Sequence, residues 1–209
     1  MFTHDKILVQ RTRRGMKRKL VCYYDNEQYY NLNRISNIVL TNKLYSLKYL
    51  YILLNSELMD FYFNKYFNEY EIKPLHLSKL PIKILSIDKQ QPIIDIADKI
   101  LLLNRDFQGI RQKFLSTLER KFNLKELSNK VREWYANSYS TLLNELSKRK
   151  IRMTLSEEAE WEEYFNSERK KAIDIKSEIE KTDKEIDQMV YKLYELTEEE
   201  IKIVEESVN

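Results

Sequence analysis

Lys6-Ile-Leu-Val-Gln10, Arg11-Thr-Arg-Arg-Gly-Met-Lys-Arg-Lys19 and Leu20-Val-Cys-Tyr-Tyr24 form one continuous stretch, and its reading sets the fold class. Two compact runs of strand-forming residues flank a basic, turn-like segment, the pattern of two short paired strands. Asp25-Asn26 supplies a turn into a second aromatic run at Tyr29-Tyr30, and Ile35 to Thr41 supplies a further strand. The expected result is a small, mostly antiparallel sheet.

Beyond the strands the hydrophobic period changes. Leu47, Leu50, Tyr51, Leu54, Leu58, Phe61 and Tyr62 recur at three- and four-residue spacings, which predicts one amphipathic helix from Ser46 to about Asn64 with Ser46 as its N-cap. Pro74 and Pro81 then mark an extended stretch, Tyr70 to Ile84. From Gln91 the chain reads as helix, with Pro92 in the first turn. Ile96, Ile100, Leu103, Phe107, Ile110 and Phe114 make a heptad seam, and Ile175, Ile179, Thr182, Ile186, Met189, Leu193 and Leu196 make a second. The two seams can pair antiparallel within one chain, and pairing with another chain is the competing arrangement. Residues 123–166 are too long and apolar for a linker and predict short helices capping the hairpin. The expectation is an α+β chain: a strand-rich domain with one amphipathic helix over residues 1–90, then a helical spacer or coiled-coil region over 91–209.

Composition narrows the function classes. Of 209 residues, 43% are hydrophobic and 12% aromatic, enough for a buried core. Only 2 Gly and 3 Pro occur, which argues against a turn-rich sandwich. Cys22 is the single cysteine, so neither an intrachain disulfide nor a cysteine zinc cluster can form. No apolar run approaches the roughly 18 residues of a membrane span, and no signal-peptide core opens the chain, so a cytoplasmic protein is expected. Catalytic signatures are missing from the sequence. Gly15 and Gly109 are isolated, His4 and His76 have no second ligand at metal spacing, and Glu157, Glu158, Glu160, Glu162 and Glu163 read as a solvated helix face. The chain by itself is therefore expected not to be an enzyme and to hold neither metal nor cofactor.

Charge is distributed unevenly. Residues 1–155 carry 28 Lys+Arg against 15 Asp+Glu, a net of +13, and residues 156–209 carry 8 against 18, a net of −10. Arg11, Arg13, Arg14, Lys17, Arg18 and Lys19 place six cations within nine residues, suited to phosphates. Tyr23, Asn31, Asn33 and Arg34 follow closely, with Lys79 further on. Arginine can pair with guanine, and asparagine with adenine, through two hydrogen bonds. A solubilising hairpin loop accounts for the same cations equally well.

Leu47-Lys-Tyr-Leu50, Leu53-Leu-Asn-Ser56, Phe61-Tyr-Phe63 and Leu77-Ser-Lys-Leu-Pro-Ile82 together resemble the TaqI-like C-terminal specificity domain of restriction–modification enzymes. In that family a strand-rich target-recognition domain reads DNA and leaves through a Leu-Pro-Ile exit into a long helix. Gln91-Pro-Ile-Ile94 and Ile96-Ala-Asp-Lys-Ile100 look like the start of such a helix, as also in type I specificity subunits. Trp161-Glu-Glu-Tyr-Phe165, Glu185 to Tyr194 and Leu196 to Glu205 are similar to the end of type IIG enzymes, which fuse endonuclease, adenine-N6 methyltransferase and recognition domain. The resemblance implies double-stranded DNA as partner, read by Arg11, Arg13, Arg14, Lys17, Arg18, Lys19, Tyr23, Asn31, Asn33, Arg34 and Lys79. It also implies a methyltransferase or endonuclease domain in the same or another chain, where S-adenosylmethionine and magnesium would be bound. The family's Asn-Pro-Pro-Tyr motif is missing here, so the chain is expected to be a detached recognition end, monomeric or dimeric through its helices. A longer relative has glycine where this chain has Glu195, a change expected to extend the last helix. The rival readings are a coiled-coil protein-interaction scaffold and a type I-like half-subunit that works as a dimer.

Overall fold

Ile7 and Val9 of β1 (Lys6–Gln10) are fully buried while Leu8 between them is only partly so, the two-residue alternation of a strand with one face on a core. A computed structural model describes residues 4–12, 18–67, 69 and 71–208, which fall in two units: Met1–Leu101 with Thr182–Asn209, and Leu102–Lys181.

In the first unit β1 is the centre of a three-stranded antiparallel sheet, with β2 (Cys22–Asp25) and β3 (Ile35–Ile38) on either side. Ile7 pairs with Tyr24 and Ile38, and Val9 with Cys22 and Ser36. This face packs on α1 (Leu47–Leu54) in a core with Leu20, Met59, Phe63, Ile72 and Leu80. The opposite face carries Leu8, Tyr23 and Asn37 as register partners. Tyr29-Tyr30 is not a strand, because the chain after β2 is pulled into a turn.

The single helix expected from Ser46 to Asn64 is two, α1 and α2 (Glu57–Tyr66). Asn55 breaks it by pairing with a strand: its side chain accepts from the Cys22 N–H at 2.9 Å and donates to the Cys22 carbonyl at 3.1 Å. Ser56 then restarts the helix, its hydroxyl accepting from Met59 N–H. Ser46 caps α1 as expected. Within the stretch expected to be extended, Pro74 opens a one-turn helix, α3 (Pro74–Leu77), and Tyr70 lies outside the described residues.

Two long helices, α4 (Ile87–Phe122) and α7 (Leu155–Leu193), have residues in both units. The start of α4 precedes the expected Gln91, so Pro92 stands inside the helix. Buried Gln90 fixes this start, donating to the Leu44 and Leu85 carbonyls at 2.8 and 3.0 Å and accepting from Ser46 N–H at 2.8 Å. The division also differs from residues 1–90 and 91–209, since the end of α7 and α8 (Glu198–Val208) belong to the first unit. The Tyr194 hydroxyl donates to the Pro81 carbonyl at 2.7 Å and accepts from Lys83 N–H at 3.2 Å. The Lys83 ammonium donates to the Leu193 carbonyl at 2.7 Å. Asp187 accepts the first N–H of α2, from Glu57, at 2.8 Å, and Tyr191 donates to the Glu57 carboxylate at 3.0 Å. Burial pushes the Asp187 carboxyl up to about 7, although the Glu57 N–H works the other way. Helix α8 packs on α2.

The second unit holds α5 (Asn129–Arg132), a 3₁₀ turn at Trp134–Ala136 and α6 (Tyr139–Lys148) between its lengths of α4 and α7. Contacts move from Phe165 back to Trp161 and Glu157 on α7 as they advance from Phe114 to Phe122 and Lys121 on α4, so the pair is antiparallel. Trp134 stacks on Phe114 at 3.9 Å. Of the seam positions, Phe107 and Phe114 are buried here, with Ile110, Ile175 and Ile179 packed against them and Leu103 half-buried. In the first unit Ile100 and Ile186 are buried, and Ile96, Met189 and Leu193 are half-buried.

Three helices end in the left-handed conformation without glycine, at Asn123, Lys150 and Glu195. Glu195 stops α7 instead of extending it. Its N–H bonds to the Lys192 carbonyl and the Leu196 N–H to the Tyr191 carbonyl, the Schellman arrangement, with φ of 59° at Glu195. Glycine takes this conformation without the Cβ clash. Glu195→Gly is expected to raise stability by about 1 kcal/mol, net of an exposed ion pair to Lys83, with urea unfolding as the measurement.

Candidate nucleic-acid interface

Lys6 and Asp25 are register partners on β1 and β2, and both side chains are fully withdrawn from water in an ion pair. Asp25 also accepts the N–H groups of Glu27 at 2.9 Å and Tyr29 at 3.0 Å. Burial alone would raise the Asp25 carboxyl, but the Lys6 ammonium and the two N–H groups outweigh it and hold the carboxyl below its ordinary value. The carboxylate therefore folds the chain after β2 into a turn, closed by Gln28 at φ 61°.

The loop that follows is fixed by its backbone. Asn31 donates its side-chain amide to the Leu32 and Ile35 carbonyls, and Ile35 N–H closes a turn on the Leu32 carbonyl at 3.1 Å. Arg11, just past the end of β1, secures it, with its N–H on the Arg34 carbonyl at 3.0 Å and its guanidinium on the Asn33 carbonyl at 2.8 Å. On the outside of this framework Tyr30 is 82% exposed and Leu32 83% exposed, and Tyr29, Asn33 and Arg34 are exposed beside them. Tyr23, on the open face of the sheet, is 55% exposed.

The eleven candidate DNA-contacting residues have different fates. Tyr23, Asn33 and Arg34 remain exposed on the sheet face and loop. Asn31 serves the loop's own backbone. Arg11 is paired with Glu71 at 2.7 Å, so much of its charge is neutralised within the unit. Arg18 is half-buried, and its charge bears on Asp187. Lys19 is half-buried, and its N–H, with that of Leu20, is held by the buried carboxylate of Asp60 at 2.9 and 2.6 Å. Lys79 is exposed in the turn after α3. Arg13, Arg14, Gly15 and Lys17 lie outside the described residues. The sequence reading passed over Tyr30 and Leu32, and took Asp25 only as a turn residue. Its position at the end of a strand opposite Lys6 was the available signal for the pair.

The fold also redistributes charge. The first unit combines basic residues 1–101 with acidic 182–209, giving 19 Lys+Arg against 19 Asp+Glu and a net of zero. Among the described residues no group of three or more His, Cys, Asp or Glu could hold a metal ion, and no helix is long and apolar enough to cross a membrane. Cys22 is a buried free thiol.

Against known families, residues 1–82 match the TaqI-like C-terminal specificity domain, and residues 86–190 match the Domain of unknown function (DUF8810). No curated protein and no solved structure matches the chain. The first match agrees with the resemblance carried by the Leu77–Ile82 exit and supports a DNA-recognition role in restriction–modification. Specificity domains are in general non-catalytic. Lys83, bonded to Leu193, Tyr194 and Glu195, lies in the short junction between the two matches.

Asp25→Asn removes the carboxylate paired with buried Lys6 and is expected to cost about 3 kcal/mol in urea unfolding at neutral pH, with Lys6→Met added to it recovering part of the loss. Because the folded-state carboxyl is held below its ordinary 3.8, its stabilisation is complete above that value and fades as pH falls through the lower folded one. The acid-induced loss of stability should therefore be smaller in Asp25→Asn than in the wild type.

Proposed function

The chain belongs to the family of the Domain of unknown function (DUF8810), and because a TaqI-like specificity domain precedes that segment, we propose that it recognises double-stranded DNA sequence-specifically for a restriction–modification enzyme. The observation that carries this reading is the exposed face of the specificity domain, where Tyr23, Asn33 and Arg34 stand on a backbone fixed by Asp25, Asn31 and Arg11. Phosphate contacts would set the register of the domain on the duplex, and a few side chains would read base edges.

In this reading the helical part attaches the recognition domain to an adenine-N6 methyltransferase or endonuclease domain, in the same or another chain. The target adenine would be flipped into that enzyme's pocket, and S-adenosylmethionine and magnesium would be bound there. Burial of Phe107 and Phe114 against Phe165 and Ala172 of the same chain favours an internal hairpin over a seam kept open for a second chain. It thus weighs against the scaffold and the dimeric half-subunit.

Fluorescence anisotropy with a mixed-sequence duplex tests the reading. Wild-type affinity should fall as salt rises, and Arg34→Ala should lessen the slope by about 0.9, the value of one phosphate contact. Absence of salt-dependent duplex binding by the wild type would refute it.

A further inference from the structure

Tyr30 and Leu32 are the most exposed large apolar side chains of the β2–β3 connection, at 82% and 83%. They sit on a loop whose backbone is committed at four points: Asp25 to Tyr29 N–H, Asn31 to two carbonyls, Ile35 to Leu32, and Arg11 to Asn33 and Arg34. Solvent-facing loop tips are ordinarily built from small or polar residues. Here the polar side chain of Asn31 is turned to the loop's own backbone, and leucine and tyrosine are presented to solvent. A fixed backbone lowers the ordering cost of using them on a ligand.

We infer that Tyr30 and Leu32 form an apolar reading head that packs on thymine methyl groups in the groove of duplex DNA. This rests on the proposed function, and names the bases that its site takes. In a stacked duplex the base faces are covered, and the apolar group offered at a groove edge is the C5-methyl of thymine. Leucine has no hydrogen bond to offer a base, so apolar contact is the discrimination it can supply. Arg34, two residues on and exposed, brings a cation to the same turn for the flanking phosphate. The net charge of zero over the unit favours DNA contact that is local to this turn over attraction spread across the domain.

The test uses the full chain and a duplex library with a randomised core. Wild-type protein is expected to enrich thymine-containing cores. Replacing those thymines by deoxyuracil should lower wild-type affinity about fourfold for each methyl removed from a fully buried contact. Tyr30→Ala combined with Leu32→Ala should abolish the preference for thymine over deoxyuracil while keeping salt-dependent binding, and Leu32→Met should retain it. A wild-type protein that binds the deoxyuracil duplex as well as the thymine duplex overturns the inference and leaves the DNA-recognition reading standing. So does a double variant that enriches the same cores. A wild-type protein that binds no duplex overturns both. The deoxyuracil comparison needs no variant, so it decides the question even where the double variant does not fold.

Discussion

The Lys6–Asp25 pair holds the candidate surface together. Two opposite charges at matched positions of neighbouring strands, both shut off from water, would be separated by a slip of one residue. The pair therefore fixes the register of β1 on β2, and through that register the burial of Ile7, Val9, Cys22 and Tyr24 on one face. The two N–H groups on Asp25 share in the desolvation cost, and in doing so they bend the chain into the loop that carries Asn33 and Arg34. One interaction thus links strand pairing, core formation and the geometry of the exposed surface.

A second constraint acts from the far end of the sequence. Tyr194 and Lys83 bind the Leu-Pro-Ile exit to the end of α7, and Asp187 caps α2. The specificity domain is consequently incomplete without residues that lie more than a hundred positions downstream. The sharp stop of α7 at Glu195 is what allows α8 to turn back onto α2. A chain with only two glycines makes such stops with Asn123, Lys150 and Glu195 and bears the strain of the left-handed conformation at each.

What could be read from the sequence was local. Compact runs of strand-forming residues at 6–10 and 20–24 show the strands, and the seam from Ile96 to Phe114 shows the long helix, because both signals lie among near neighbours in the chain. The break between α1 and α2 was hidden because Asn55 leaves the helix for a partner 33 residues away, on β2. The division into units was hidden for the same reason, since Tyr194 meets Pro81 across 113 residues. In the candidate site, Tyr23, Asn33 and Arg34 are the residues picked out by type that stand exposed on the described sheet face and loop. The Arg11 guanidinium pairs with Glu71 and the Lys19 backbone N–H with Asp60, partners that residue type could not show because they come from other elements. Tyr30 belonged to an aromatic run that looked like a strand and Leu32 carried no signal, and the turn at Asp25 leaves both on the outside of the loop.

The distribution of charge along the chain was the most misleading signal, and the fold corrects it. A basic body and an acidic end suggest a domain drawn to DNA by its overall field. The fold instead places residues 182–209, net −6, in the same unit as residues 1–101, net +6, and brings that unit to net zero. Between exposed charges farther apart than a Debye length, attraction is screened at physiological salt, so a neutral unit gains little from long-range steering. In the proposed reading affinity then arises at contact, from a few cations in the right register and from surface that fits base edges. A rigid loop with arginine, asparagine and two exposed apolar side chains is suited to that regime. A mobile cluster of lysines would bind any phosphate backbone, whereas a loop fixed by a buried ion pair can favour one sequence over another.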